Sequence, residues 1–388
     1  MSQSQQTNKS TKTKEEIRYE NELVKRQYFD YLKESRGYSQ NSIITYEGSI
    51  LQWQDFSKDV DFRAFNKKRA VEFKDWLATR KGKRGDTLSV SFQYQTIRKV
   101  NDFFFWLSRQ DGYRQHIQET DVEFLKLGKK ESRQALQSKR RRVPSMEVVK
   151  KTIEGIEPNT EIDKRDRALL SFTLITGARI SAIVSLPMSA FDPHEMVVDQ
   201  DPSNEVKTKF SKRITTAFFP IEYKEAQRYF VEWYEYLKNE RGFKENDPLF
   251  PATKVENGKE NISYYSTGEV EPIFWSNSSP ARKIFEKRFK AVEEPYYNPH
   301  SFRHLLVKEF MKKPLTEEQK KAISQNLGHE NVVTTFGSYG YGHIEESRQI
   351  ELLREIEAVQ NGSGEVRYNI SENELQTLLR KVASKDDV

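Results

Sequence analysis

The stretch from Lys126 to Arg142 divides this chain. It carries Lys126, Lys129, Lys130, Arg133, Lys139, Arg140, Arg141 and Arg142 against only Glu131. Like charge packed that densely, without apolar periodicity, suits a solvated connection rather than a core element. Periodic sequence lies on both sides of it, so the chain reads as two bodies joined by a basic linker. A length of 388 residues agrees, because it exceeds what one hydrophobic core usually supports. The expected boundaries are a disordered polar tail at 1–17, a helical domain at 18–125, the linker at 126–143, a second domain at 144–360, and a closing linker and helix at 361–388.

The front body reads as all-helical. Ser39 is placed to cap a helix whose Ile43, Tyr46, Ile50 and Trp53 recur at steps of three or four. Asn66 to Arg80 (Val71, Trp76, Leu77) and Ser91 to Ser108 (Tyr94, Ile97, Phe104, Leu107) repeat that character, and Glu20 to Arg36 makes a fourth helix. The aromatic run from Phe103 to Trp106 reads as core. Lys67, Lys68, Arg69, Arg80, Lys81, Lys83 and Arg84 form a charged face.

The back body mixes helices with short β segments. A helix from Arg165 to Thr176 should stop at Gly177, with Arg179 just beyond. MVVDQ, EVKTKF and ITTAFFP alternate as strands do, with Lys207, Lys209 and Lys212 in or beside a turn. Glu225 to Arg241 is amphipathic, 253–272 reads as a surface excursion, and Ser279-Pro280 opens another helix. At the end, Ser371 and Glu374 have capping-box spacing, and Leu375, Leu378, Leu379 and Val382 give the last helix an apolar face that should dock in cis or in trans.

The absence of cysteine removes disulfides, thiolate metal sites and cysteine nucleophiles from consideration. A net charge of +6 suits a polyanionic partner. No apolar run approaches the roughly 20 residues of a spanning helix, and the start lacks a signal-peptide core, so a cytoplasmic protein with no membrane partner is expected.

Chemistry concentrates near the C-terminus. His300, His304, His329 and His343 are four of the six histidines, and Arg303, Leu327-Gly328-His329, Thr334-Thr335, Tyr339 and Tyr341 share their window. Guanidinium and imidazole groups around a phosphate, with a phenol close behind, are the parts for phosphoryl transfer. Displacement at phosphorus needs a nucleophile, neutralisation of the non-bridging oxygens, and a proton for the leaving oxygen. Arginine suits the second task through its planar, permanently charged fork.

TGAR around Arg179, HSFRH at 300–304, LGH at 327–329 and the following TTxxxY together resemble the signature boxes of the tyrosine recombinases, the phage-integrase-like DNA strand-exchange enzymes. The resemblance spans roughly 18–360. It implies a mainly α fold with a small β-sheet: a two-domain DNA clamp made of a SAM-like core-binding domain and a mixed α/β catalytic domain. It assigns Tyr339 as nucleophile, in preference to Tyr341, and Arg179 and Arg303 as the phosphate clamp. His300 becomes an acid/base partner and His329 a ligand of a non-bridging oxygen. Lys209 is the proton donor to the leaving 5′ oxygen, ahead of Lys212 and then Lys207. Ala182 stands where the family often has an acidic residue. Lys129, Lys130, Lys139, Arg140, Arg141 and Arg142 are expected on the DNA backbone.

The implied reaction needs no cofactor and passes through a 3′-phosphotyrosine. The implied partners are double-stranded DNA, further copies in a tetramer on two paired sites, and accessory recombinases or factors, with the protein on the nucleoid. Two other readings use the same residues: a strand-passage enzyme or hairpin telomere resolvase, and a catalytically inactive DNA-binding accessory subunit.

Overall fold

A computed structural model of the chain describes residues 12–82, 85–136, 142–257 and 264–337. Tyr339, Tyr341, His343, Lys139, Arg140, Arg141, Lys83, Arg84 and the closing helix expected after Ser371 lie outside the described residues. No helix among the described residues is long and apolar enough to cross a membrane. The chain divides into two compact units at Lys139–Arg140.

The first unit is helical: α1 Lys14–Asp30, α2 Gln40–Ser57, α3 Lys67–Thr79, α4 Val90–Leu107, α5 Glu119–Val122 and α6 Lys129–Leu136. Its first four helices open on residues that accept backbone N–H bonds: Thr13 in a capping box with Glu16, then Ser39, Asn66 and Ser89. Helix α1 thus begins inside the stretch expected to be a tail. The core is aromatic, with Trp53 4.7–5.4 Å from the rings of Phe65, Phe73 and Phe104. Phe103 and Phe104 are buried as expected, whereas Val71 and Phe105 face outward.

One expectation about this unit needs correction. The basic run is not without structure: α6 forms within it, packs on α4 and buries Ala135, so its first half belongs to the front unit. One small apolar contact suffices to seat a short helix, which is why no apolar stripe marked it.

The second unit is built around α8, Glu161–Thr176, which is buried at nearly every position from Arg165 onward. A helix covered on all sides must be apolar or internally paired. Here Asp166 accepts from Arg165 Nη2 at 2.9 Å and from Arg288 Nη2 at 2.6 Å, and Arg288 also reaches Asp163 at 2.6 Å. Around α8 lie α7 (Met146–Glu154), α9 (Ile180–Ile183), α10 (Glu225–Glu235), α11 (Ser279–Ala291), α12 (His300–Met311), α13 (Glu317–Asn326) and α14 (Val332–Thr335).

Strands β1 (Phe191–Asp192), β2 (Val197–Gln200) and β3 (Ile214–Ala217) form an antiparallel sheet in that order. EVKTKF is not a strand: 205–210 lies in the loop between β2 and β3, which turns sharply at Lys209–Ser211. Conversely, the expected excursion at 253–272 holds a second hairpin, β4 (Ala252–Asn257) with β5 (Tyr264–Glu271). Glu161 at the start of α8 ties it down by accepting from Val270 N at 2.8 Å.

Candidate active site

The site forms where α8 ends. Gly177 terminates that helix at φ +58°, and a Cβ there would lie 2.8 Å from Leu327 Cδ2 and 3.0 Å from Leu306 Cδ1. Only glycine adopts this turn cheaply and also lets α12 and the 327–329 turn close over it. That close approach brings TGAR, HSFRH and LGH together.

Arg303, 1% exposed, staples the three segments. It donates to Gly177 O, to Leu327 O at 2.6 Å, and to His329 Nε2 at 3.0 Å. Arginine can only donate, so His329 Nε2 accepts. The neutral ring then carries its proton on Nδ1, which donates to Thr335 Oγ1 at 2.8 Å. Thr335 passes its own proton to Ser324 Oγ at 2.8 Å, and Ser324 donates to Asn331 O at 3.3 Å. A buried hydroxyl relay therefore fixes the tautomer and leaves the Nε2 lone pair facing Arg303.

Burial pushes the His329 pKa down to about 3, assisted in order by the charges of Arg303, Arg179, His300 and Lys209. That sequence of perturbers is also a map: four side chains from three further segments of the chain are near enough to act on one imidazole. Arg179, half-buried, opens α9 with its carbonyl accepting from Ala182 N at 2.8 Å. His300 and Arg303 share a face of α12 at a spacing of three, and the His300 and His304 rings meet edge-on at 5.3 Å.

The β2–β3 loop supplies the lysines. Lys209 is exposed, with Nζ 4.7 Å from the Phe210 ring centroid. Lys212 is taken up by an ion pair with Glu330, and Lys207 is exposed, its backbone N–H bonded to Ser185 Oγ at 2.8 Å. The loop is held to the LGH turn from below. Ala217 N donates to Asn326 Oδ1 at 2.7 Å, Asn326 Nδ2 returns to Ala217 O at 2.9 Å, and Thr216 Oγ1 donates to Asn326 O at 2.9 Å. Gly328, at φ +68°, lies so close to Ile214 that a Cβ would stand 2.4 Å from its Cδ1.

The structure thus bonds Arg303 to His329 and leaves Arg179, His300 and Lys209 near enough for their charges to act on that imidazole, while Tyr339 lies outside the described residues. Sequence reasoning missed Ser324 and Asn326, and it gave Gly328 and Thr335, although inside the boxes, no role of their own. Their polar or glycine character beside the histidine box was visible, but their partners were not. Lys129 and Lys130, with Arg133 and Gln134, line a groove on α6 in the first unit, and Arg142 is exposed at the start of the second. Among the described residues no three His, Cys, Asp or Glu side chains gather in a way that could hold a metal.

Comparison with known proteins gives the family and the fold. Residues 145–345, just over half of the chain, match the phage integrase family, and 26–111 match its N-terminal SAM-like domain. The chain is 22% identical to the tyrosine recombinase XerD of Listeria monocytogenes over 87% of its own length and 98% of that protein's. With XerD of Oceanobacillus iheyensis it shares 26% over 44% of its length, spanning 52% of that relative. In fold it is similar to a lambda integrase dimer bound to a COC′ core site (TM-score 0.56, 16% identity, 84% of this chain and 96% of that one). It is similar also to the Tn1549 transposon integrase in complex with a circular intermediate DNA (TM-score 0.51, 16% identity, 85% and 99%). The chain belongs to the phage integrase family and is a tyrosine recombinase, an enzyme of DNA strand cleavage and religation.

Proposed function

We propose that this chain is the site-specific recombinase of a mobile element, an integrase or transposase, acting as a tetramer on two paired duplexes in the cytoplasm at the nucleoid. The observation that carries this reading is the 3.0 Å bond from Arg303 to His329 Nε2, on the helix that also bears His300, with the charges of Arg179 and Lys209 acting on the same ring. Two arginines and an imidazole around one point form a receptor for a phosphodiester, with charge placed where it develops during displacement.

In this reading the Tyr339 oxygen attacks phosphorus as His300 takes the phenolic proton. The bond to the 5′ oxygen breaks, and Lys209 protonates that oxygen. A 3′-phosphotyrosine and a free 5′ hydroxyl result, and the hydroxyl of a partner strand reverses the step without other energy input. Arg179 and Arg303 neutralise the non-bridging oxygens. His329 Nε2 is occupied as an acceptor from Arg303 in the free protein, so its first role is to aim that guanidinium. Donating to a phosphate oxygen requires the proton on Nε2, the opposite tautomer.

Lys129, Lys130, Lys139, Arg140, Arg141 and Arg142 bind the backbone, and the two domains clamp the duplex between them. Among fold neighbours, a lambda integrase tetramer is bound to a Holliday junction (TM-score 0.55), and the Tn1549 protein is a transposon integrase; the first supports the tetramer and the second the element. The test uses a duplex recovered from a randomised library by binding to the full chain, with a nick beside the cleavage site to trap the adduct. Wild-type protein and Tyr341→Phe become covalently attached and Tyr339→Phe does not. Attachment that persists in Tyr339→Phe defeats the assignment, and relaxed circles or closed hairpins as products favour strand passage or resolution instead.

A further inference from the structure

The turn that presents Lys209 has a feature the strand chemistry leaves unused. Phe210 is 78% exposed, one of the two most exposed large apolar side chains among the described residues. Its backbone is left-handed at φ +61° and ψ +23°, and Ser211 follows at φ +50°. A bulky residue with positive φ is strained, and glycine would hold the same turn without strain. Nothing in the core explains the choice, because the ring packs into none of it. Strain of this kind collects at functional positions.

The neighbours say what such a ring would meet. Lys209 precedes it, with Nζ resting 4.7 Å from its centroid, and that lysine's charge already bears on His329. Below the loop, Arg213 holds Asp199 through two bonds, at 3.1 Å and 2.6 Å, and Lys212 holds Glu330, so the base of the loop is tied while Phe210 stands clear of it. A ring beside a cation, at the edge of a phosphate receptor, suits a flat apolar part of a nucleic acid, the face of a base.

We propose that Phe210 stacks on a base flanking the cleaved phosphate, and so fixes which phosphodiester lies against Arg179 and Arg303. The left-handed turn projects the ring, and Lys209 moves from its face to the backbone when DNA arrives. This rests on the active-site reading above only for the location of that phosphate.

The test uses the full-length protein and the selected duplex with 5-iododeoxyuridine in place of each thymidine near the site. On irradiation, wild type crosslinks at one position through the peptide holding Phe210. Phe210→Tyr keeps the crosslink, while Phe210→Gly loses it and binds about tenfold or more weakly, the scale of one lost base stack. Thermal unfolding of Phe210→Gly is unchanged or raised, because glycine relieves the backbone; a merely structural phenylalanine would lower it. Crosslinks confined to other peptides, or a Phe210→Gly variant that binds as wild type, overturn the proposal. Covalent attachment on the nicked duplex is scored in parallel, so a wild type that crosslinks through Phe210 but never attaches sinks the enzyme reading and leaves the base contact standing.

Discussion

Replacing Thr335 by valine tests the relay behind His329. The two side chains have nearly the same shape, so packing changes little, but the buried Oγ1 that accepts from His329 Nδ1 at 2.8 Å and donates to Ser324 at 2.8 Å is gone. One net hydrogen bond is about 1 kcal/mol, and a buried N–H left unsatisfied costs about 1–3 kcal/mol. Thr335→Val should therefore lower unfolding free energy by about 1–3 kcal/mol in urea, and Thr335→Ser by clearly less. Stability alone would not slow the folded enzyme. The relay also holds the proton on Nδ1, which keeps Nε2 an acceptor for Arg303. Without it the Nδ1–H has no acceptor and the ring is no longer held in place against Arg303, so covalent attachment measured at a temperature where the variant is fully folded should slow by about tenfold. Nitrogen-15 spectra of the wild type should show His329 as the Nδ1–H tautomer. A valine variant with unchanged stability and an unchanged cleavage rate would refute the relay.

Three further outcomes are expected of the same fold. His329 has a folded pKa near 3 against an ordinary value of 6.5, so the unfolded chain binds the extra proton first; stability from this group is intact above about pH 6.5 and falls as pH drops toward 3, by up to about 5 kcal/mol. His329→Gln should flatten that part of the urea-stability profile, and an unchanged profile would contradict a buried neutral ring. Gly328→Ala places a Cβ 2.4 Å from Ile214 Cδ1 at φ +68°, and should cost about 2–4 kcal/mol in urea unfolding and separate the lysine loop from the histidine turn. Asp166→Asn leaves Arg165 and Arg288 buried without their shared carboxylate and should cost about 3–5 kcal/mol, whereas Lys254→Ala at the exposed Glu269 pair should leave the unfolding midpoint where it was.

Much of this molecule is legible from residue order because its signals are local. The helices of the first unit announce themselves by caps and by Ile43, Tyr46, Ile50 and Trp53 at helical steps, and α8 stops at Gly177 for a reason glycine carries in itself. What stays hidden depends on distant partners. Helix α6 is masked by its own charge, since only Ala135 is buried. The 205–210 segment alternates like a strand yet turns, because the left-handed residues Phe210 and Ser211 give no warning in their side chains. Hairpin β4–β5 escapes because its register shifts between Thr253 and Val255, which breaks alternation. At the site, the boxes name Arg179, His300, Arg303 and His329, but Asn326 matters through Ala217, 109 positions away, and no spacing rule reaches that far.

The most direct measurement concerns the charge at the phosphate. A duplex carrying a neutral methylphosphonate at the cleaved position removes the charge that Arg179 is there to neutralise. Arg179→Ala, slow on natural DNA by a hundredfold or more on the scale of one lost transition-state contact, roughly 10²–10³, should recover covalent attachment on this duplex, while Tyr339→Phe should not. An Arg179→Ala variant equally slow on both duplexes would contradict a phosphate gathered between Arg179 and Arg303.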